Sequence, residues 1–362
     1  MATGKWAKVA GVWKPIVNEY VKIAGAWKPV STNWCNVGGA WKGIPFAKYL
    51  FVCEQTSDRL YGLDDTPTDL AGWPVYGGGI TDPVDVACDN HGVTYWAAGN
   101  YVYCLSLSGA VSWSYDHATT VTSVCVDADG YVYTGCLDGT VRKFNPGGGS
   151  PLWSKSLGAN YAVYALAVDY SAGRLYAGTG WAKDAVYRLI TSNGNSTLIF
   201  TSTYGDVSGI AIDEGLPDLY IGTNAGNLIK ISTAGYNYNL YGWGSPAAIC
   251  TDVHNVRVGH DGFGYCATGA GGAYGKSLYK FNLSTGARVW SYSPGGTACA
   301  QGCTVDQFGN VYGTWYVAGG STTENAVRKV NSAGSLVWTW RPYLNAQLFG
   351  LVVTPGEKAA GF

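Results

Sequence analysis

The sequence predicts an all-β protein in two parts, with three β-hairpin repeats over residues 1–45 and a β-propeller over residues 46–362. Three observations carry this. The 362-residue chain is 14% aromatic and holds 52 Gly but is only 13% charged, with a single Met; strands joined by tight turns have this composition. A short phrase recurs every fourteen residues at the N-terminus. A longer phrase recurs through the body at the period of a four-stranded blade.

In the short repeat, Trp13, Trp27 and Trp41 lie fourteen apart, as do Gly11, Gly25 and Gly39, and Lys14, Lys28 and Lys42. Trp6, Tyr20 and Trp34 form a further aromatic column, and Lys8 and Lys22 another that departs to Asn36. Each copy reads as strand, turn, strand. In EYVKIAGAWKPV a turn at Ala24-Gly25 puts Gly where φ is positive, with Lys22 opposite Trp27 and Ile23 opposite Ala26. Pro15 and Pro29 donate no backbone hydrogen bond and mark edges or links. An isolated two-stranded ribbon is marginal in water. The segment is therefore expected to attach or multimerise the protein, with Trp13, Lys14, Trp27, Lys28, Trp41 and Lys42 as the contact residues.

The longer repeat is anchored by aspartates in V-x-V-D-like strands: Asp89, Asp127, Asp169, Asp213 and Asp306, with Gly259 at the same place in VRVGHDGFGYCATG. Spacing runs from 38 (Asp89 to Asp127) to 47 (Gly259 to Asp306). Late in each unit a turn leads into a Trp-bearing strand, at Trp113, Trp153, Trp290 and Trp338, with Phe200 in the same slot of TSNGNSTLIF. These phrases resemble the quinoprotein-like propeller family, whose blades carry a T-G-x-x-x-W docking phrase; STGARVW at residues 284–290 is similar to it. The resemblance covers about residues 46–362 and implies the fold, not an activity. YLFVCEQTSDRLYGLDD at residues 49–65 reads as the second and third strands of a blade without its first, and QLFGLVVTPG at 347–356 reads as a first strand. Pairing them closes the ring and removes an open sheet edge. Seven blades are expected: one composite, then units beginning near 84, 121, 163, 207, 252 and 299; the irregular stretch at Tyr236–Trp243 leaves six or eight as the other counts.

The chemistry-bearing motifs argue for no catalytic centre. A net charge of −1 gives no basic face for nucleic acid. No apolar run is long enough to span a bilayer, and the N-terminus lacks the apolar region of a secretory signal. Cys53, Cys88, Cys125 and Cys266 sit in apolar strand-like runs and read as structural thiols made in a reducing cytoplasm. No Cys–Cys pair accompanies the quinoprotein resemblance, so no cofactor is expected. AGGAYGKS at 270–277 lacks the first Gly of a phosphate loop and precedes a strand, so it reads as a blade loop. DADG at 127–130 lacks the further oxygen ligands of a calcium loop, and His91, His117, His254 and His260 show no metal spacing. DDTPTD at 64–69 is the one run that offers paired carboxylates for glycoside hydrolysis.

Loop length is uneven. The connection between second and third strands is short in the early blades but extended in GTGWAKDAVYRL (178–189), ATGAGGAYGKSLYKF (267–281) and GTWYVAGGSTTENAVRKV (313–330). These connections share one face of a propeller. Trp181, Lys183, Asp184, Tyr274, Lys276, Trp315, Tyr316 and Glu324 are therefore the candidate ligand-binding residues, aromatics beside polar groups that suit a sugar ring or a protein contact.

YVKIAGAWKP at 20–29 resembles the short V-K-V-G-G-x-W-K phrases of structural proteins in tailed bacteriophage particles. That resemblance implies a non-catalytic tail- or fibre-associated virion protein, synthesised in the host cytoplasm and homo-oligomeric. Residues 1–45 would join other virion proteins, and the propeller would bind a host-surface receptor, glycan or protein. A capsid-decoration or tail-assembly protein without a ligand, and a propeller glycan depolymerase or lyase, are the other readings. The acids of the latter would be Asp64, Asp65 or Asp69.

Overall fold

The computed structural model describes residues 48–89, 92–213, 218–232, 250–269, 277–296, 298–317, 324–342 and 346–354, and six strand segments among the first 47 residues. The chain divides into two compact units, Met1–Ala47 and Lys48–Phe362. In the first, Trp6–Val9 pairs antiparallel with Val12–Pro15, Tyr20–Ile23 with Ala26–Pro29, and Thr32–Val37 with Ala40–Pro45. Lys8 stands opposite Trp13, Lys22 opposite Trp27 and Asn36 opposite Trp41, so one register recurs in all three. The side chains of Trp13, Lys14, Trp27, Lys28, Trp41 and Lys42 lie outside the described part.

The second unit is a seven-bladed propeller. Its first blade is composite: Leu348–Thr354 pairs with Tyr49–Glu54, which pairs with Arg59–Asp64 and then Val75–Tyr76. The innermost strands of the other six are Pro83–Cys88, Val121–Val126, Tyr161–Asp169, Val207–Asp213, Val253–Val258 and Cys299–Val305. Each innermost strand packs on those of the blades either side, and the cycle closes between Leu348–Thr354 and Pro83–Cys88. Tyr236–Trp243 lies outside the described residues. Burial follows radial position. Second strands such as Thr94–Ala98 and Val132–Cys136 are buried at every residue, being covered by neighbouring blades on both faces. Outer strands such as Val111–Asp116 are half or fully exposed.

The anchor aspartates hold the turn between first and second strands. Asp127 Oδ1 accepts the amides of Asp129 (3.1 Å) and Tyr131 (2.9 Å), and its Oδ2 accepts the Tyr133 hydroxyl at 2.8 Å. Where Gly259 stands at the anchor, Asp261 supplies the carboxylate two residues later, accepting from the Tyr265 hydroxyl and, at 2.7 Å, from Lys280 Nζ. The tyrosine recurs once per blade as Tyr61, Tyr95, Tyr133, Tyr176, Tyr220, Tyr265 and Tyr312, all buried.

Blades are joined by donors reaching the next blade. Trp73 Nε1 donates to Leu107 O (2.9 Å), Trp113 to Pro146 O (2.9 Å), Trp153 to Thr191 O (3.0 Å) and Trp290 to Ser332 O (3.0 Å). Lys143 Nζ reaches Thr191 O at 3.1 Å, and Lys230 Nζ reaches Leu283 O at 3.0 Å. Each such bond contributes about 1 kcal/mol net, and only the Lys230–Leu283 bond is buried. The closing seam differs. There Asp65 of the first blade accepts Lys329 Nζ and the Tyr312 hydroxyl (3.1 Å), while Trp338 packs on Tyr312. Phe200, buried in the fourth blade, takes the Trp slot.

Candidate functional site: the mouth of the central channel

Tyr161 pairs with Trp181, Val253 with Thr268, and Cys299 with Tyr316. The start of each innermost strand and the connection between second and third strands therefore lie at one end of the ring. At that end every innermost strand bulges at the same place. The register slips around Val84, Thr122, Tyr164, Ser208, His254, Gln301 and at Phe349-Gly350. A bulge re-aims its side chain. The eight residues of these seven bulges line the mouth of a channel cavity of about 460 Å³, with Asp85, Asn255 and Arg257 also on its wall.

The ring is drawn tight below the mouth. Asp85 Oδ1 accepts Val86 N–H and its Oδ2 accepts Val124 N–H of the next blade, both at 2.9 Å. Ser123 Oγ donates to Val163 O at 3.0 Å, and Thr122 Oγ1 donates to the same carbonyl at 2.6 Å. Gly350 allows the closest approach: a Cβ there would stand 2.7 Å from Asp85 Cα. Burial pushes the Asp85 carboxyl up to about 6, against the opposing pull of the Val124 amide and the Arg257 charge.

Trp181 stands at the rim, 60% exposed and with φ +64. A left-handed conformation is unfavourable by about 1–3 kcal/mol for a non-glycine residue. Asp206, from the connection into the fifth blade, holds it: Oδ1 accepts Trp181 N–H at 3.0 Å, and Oδ2 accepts Asn224 Nδ2–H at 2.8 Å. Burial, then the hydrogen bond and charge of Asp206, raise the Asp184 carboxyl to about 6. Tyr164 joins this cluster to the cavity; burial first, then the Asp206 charge, raises its hydroxyl, which also bonds the Trp181 side chain. Two blades on from Tyr164, His254 Nε2 lies 2.9 Å from Asp252 Oδ1, and its hydrogen bond holds the Asp252 carboxyl low. Among the described loop residues of this face, Asp58, Asp82, Asp138, Asp184, Asp206, Asp252 and Glu324 stand against Lys183 and Arg341.

The expected residues divide. Trp181 and Asp184 are at the rim, and Lys183 is half-buried beside them, its carbonyl accepting Thr179 Oγ1 at 2.6 Å. Tyr316 borders the far side: Gln347 Nε2 donates to its hydroxyl, and its ring lies 6.4 Å from that of Phe349. Glu324 Oε2 accepts Ala298 N–H at 2.8 Å and so braces the connection into the seventh blade. Trp315 corrects the expectation. It is 0% exposed, packed edge-on to Tyr292 with Arg328 over its ring, because it belongs to a second strand that neighbouring blades cover on both faces. Tyr274 and Lys276 lie outside the described residues.

Sequence reasoning missed Tyr164, His254, Gln301, Phe349, Asp206 and Asn224. The mouth residues had a signal. Each of the six later blades places its bulged residue five positions before the anchor, as Thr122 precedes Asp127 and Gln301 precedes Asp306, and Phe349 precedes Thr354 likewise.

The other clusters serve the fold. Asp64 Oδ1 accepts Thr66 N–H (2.8 Å) and Thr68 N–H (3.0 Å) within its own turn, and Asp65 is taken up by the seam. Cys136, His117 and Arg142 meet, with Arg142 Nη1 2.8 Å from His117 Nδ1. Burial drives the Cys136 thiol up to about 12 and His117 down to about 3, the reverse of an activated pair. No group of three metal-ligating side chains occurs among the described residues.

No protein-family model matches the chain, and no curated protein matches it. Among solved structures 1653 chains match, so many that the likeness speaks for architecture and not for a role. A chain from "Crystal Structure of Mitotic Checkpoint Complex" aligns with a TM-score of 0.60 and 19% identity, over 74% of this chain and 83% of that one. Identity at this level shows the seven-bladed β-propeller fold alone.

Proposed function

We propose that this is a non-catalytic structural protein of a tailed bacteriophage particle, associated with the tail or its fibres, whose propeller binds a host-surface glycan. The observation that carries the binding role is Trp181, 60% exposed, bonded to Tyr164 on the cavity wall and held in place by Asp206. An indole face beside fixed carboxylate and amide groups suits a sugar ring, which stacks on its apolar face and hydrogen-bonds at its edge. The virion assignment rests on the fourteen-residue aromatic–lysine repeats, which supply an attachment segment separate from the propeller. In this reading residues 1–45 join other virion proteins and copies of the chain.

Immunogold electron microscopy of the parent particle, with antibody against residues 46–362, tests it. Label is expected at the tail tip or fibres. Label confined to the head would replace adhesion with a decorating role, and unlabelled particles would remove the virion assignment.

A further inference from the structure

The rim around Trp181 offers hydrogen-bond acceptors, and its carboxylates, Asp184 and Asp206, outnumber the one ammonium beside them, that of Lys183. Asp206 takes the Trp181 amide on one oxygen (3.0 Å) and Asn224 on the other (2.8 Å). Asp184, half-buried, is hydrogen-bonded to Asp206. A carboxylate has about four acceptor positions, so both retain capacity beside the indole. The cavity that Tyr164 joins to this cluster opens inward from it, with Arg257 on its wall, and Asp252, paired with His254, stands where the chain enters the sixth blade. Hydroxyl and ammonium hydrogens find partners here. A carboxylate, sulfate or phosphate on the ligand meets like charge, which opposes binding.

We infer that the ligand at Trp181 is a saccharide without acidic groups, neutral or amine-bearing, whose ring stacks on the indole while Asp206 and Asp184 accept its hydroxyl or ammonium hydrogens. This rests on the glycan reading above and adds a chemical class to it.

The test is a glycan array carrying neutral, amine-bearing and carboxylate- or sulfate-bearing saccharides, probed with the full chain and with Trp181→Ala and Asp184→Asn, each checked for native circular dichroism. Retention is expected on neutral or amine-bearing spots, reduced at least tenfold by Trp181→Ala. On amine-bearing spots Asp184→Asn should weaken retention several-fold. Retention there should also rise between pH 5 and 7, as Asp184, held up by burial and Asp206 against the pull of Lys183, loses its proton, while neutral spots stay level. Acidic saccharides retained through Trp181 would overturn the class and leave the glycan reading standing. Retention of no saccharide, or retention that ignores Trp181→Ala, would overturn the site and that reading together.

Discussion

Asp85 illustrates how one side chain ties the ring and loads it with a titration. Its two oxygens span the innermost strands of the second and third blades. Burial holds the carboxyl at about 6, above the 3.8 of a free aspartate. Between those values the folded chain binds more protons than the unfolded one, so stability falls as pH rises from about 4 to 6. The shift corresponds to about 3 kcal/mol. Urea unfolding of the native chain and Asp85→Asn at pH 4 and 6.5 should show the native chain losing up to that amount relative to the variant. Equal pH dependence in the two would refute the burial of an ionising carboxyl. At this scale legibility was uneven. The anchor aspartates were readable because a turn amide pattern demands an acceptor at a fixed offset. Trp315 was not, because in a strand covered on both faces alternation no longer reports exposure. Asp206 escaped because it acts on Trp181 from the next blade.

The strands were the most legible level, since the anchor turn recurs from blade to blade, the Trp phrase recurs in four of them, and the composite blade declared itself by the parts it lacked. The bulges were not legible as bulges: one extra residue leaves a strand's apolar pattern looking like ordinary alternation. The last strand is the element on which closure depends. Leu348, Leu351 and Val353 are buried on it, each worth roughly 1.5–3 kcal/mol. Without it, Tyr49–Glu54 becomes an unpaired edge. A chain ending at residue 347 should lose cooperative thermal unfolding and elute as aggregate in size-exclusion chromatography. A sharp melt and monomeric elution would show that the other six blades hold the ring unaided.

For the whole molecule, the seven-bladed ring and the position of its closure were foreseen, because period and end-matching are properties of the entire chain. Charge sign at one face was not, since acids spread along the sequence converge only when loops from successive blades meet. Assembly belongs to this scale too. If residues 1–45 multimerise the protein, a fragment of residues 46–362 should scatter light as a folded monomer, whereas a stable oligomer would place self-association in the propeller. The chain enters the ring at Tyr49, on a strand flanked by Leu348–Thr354 on one side and Arg59–Asp64 on the other. Tension arriving along the polypeptide from the N-terminal side thus meets a strand seated inside a sheet, with Lys48 pinned to Asp306 at 2.7 Å beside it. Such a strand must slide past two neighbours at once, breaking its rungs together in shear. A tether fixed to an outer strand would peel one rung at a time. If residues 1–45 anchor the protein, the ring is clamped at the point where any load from that anchor would arrive.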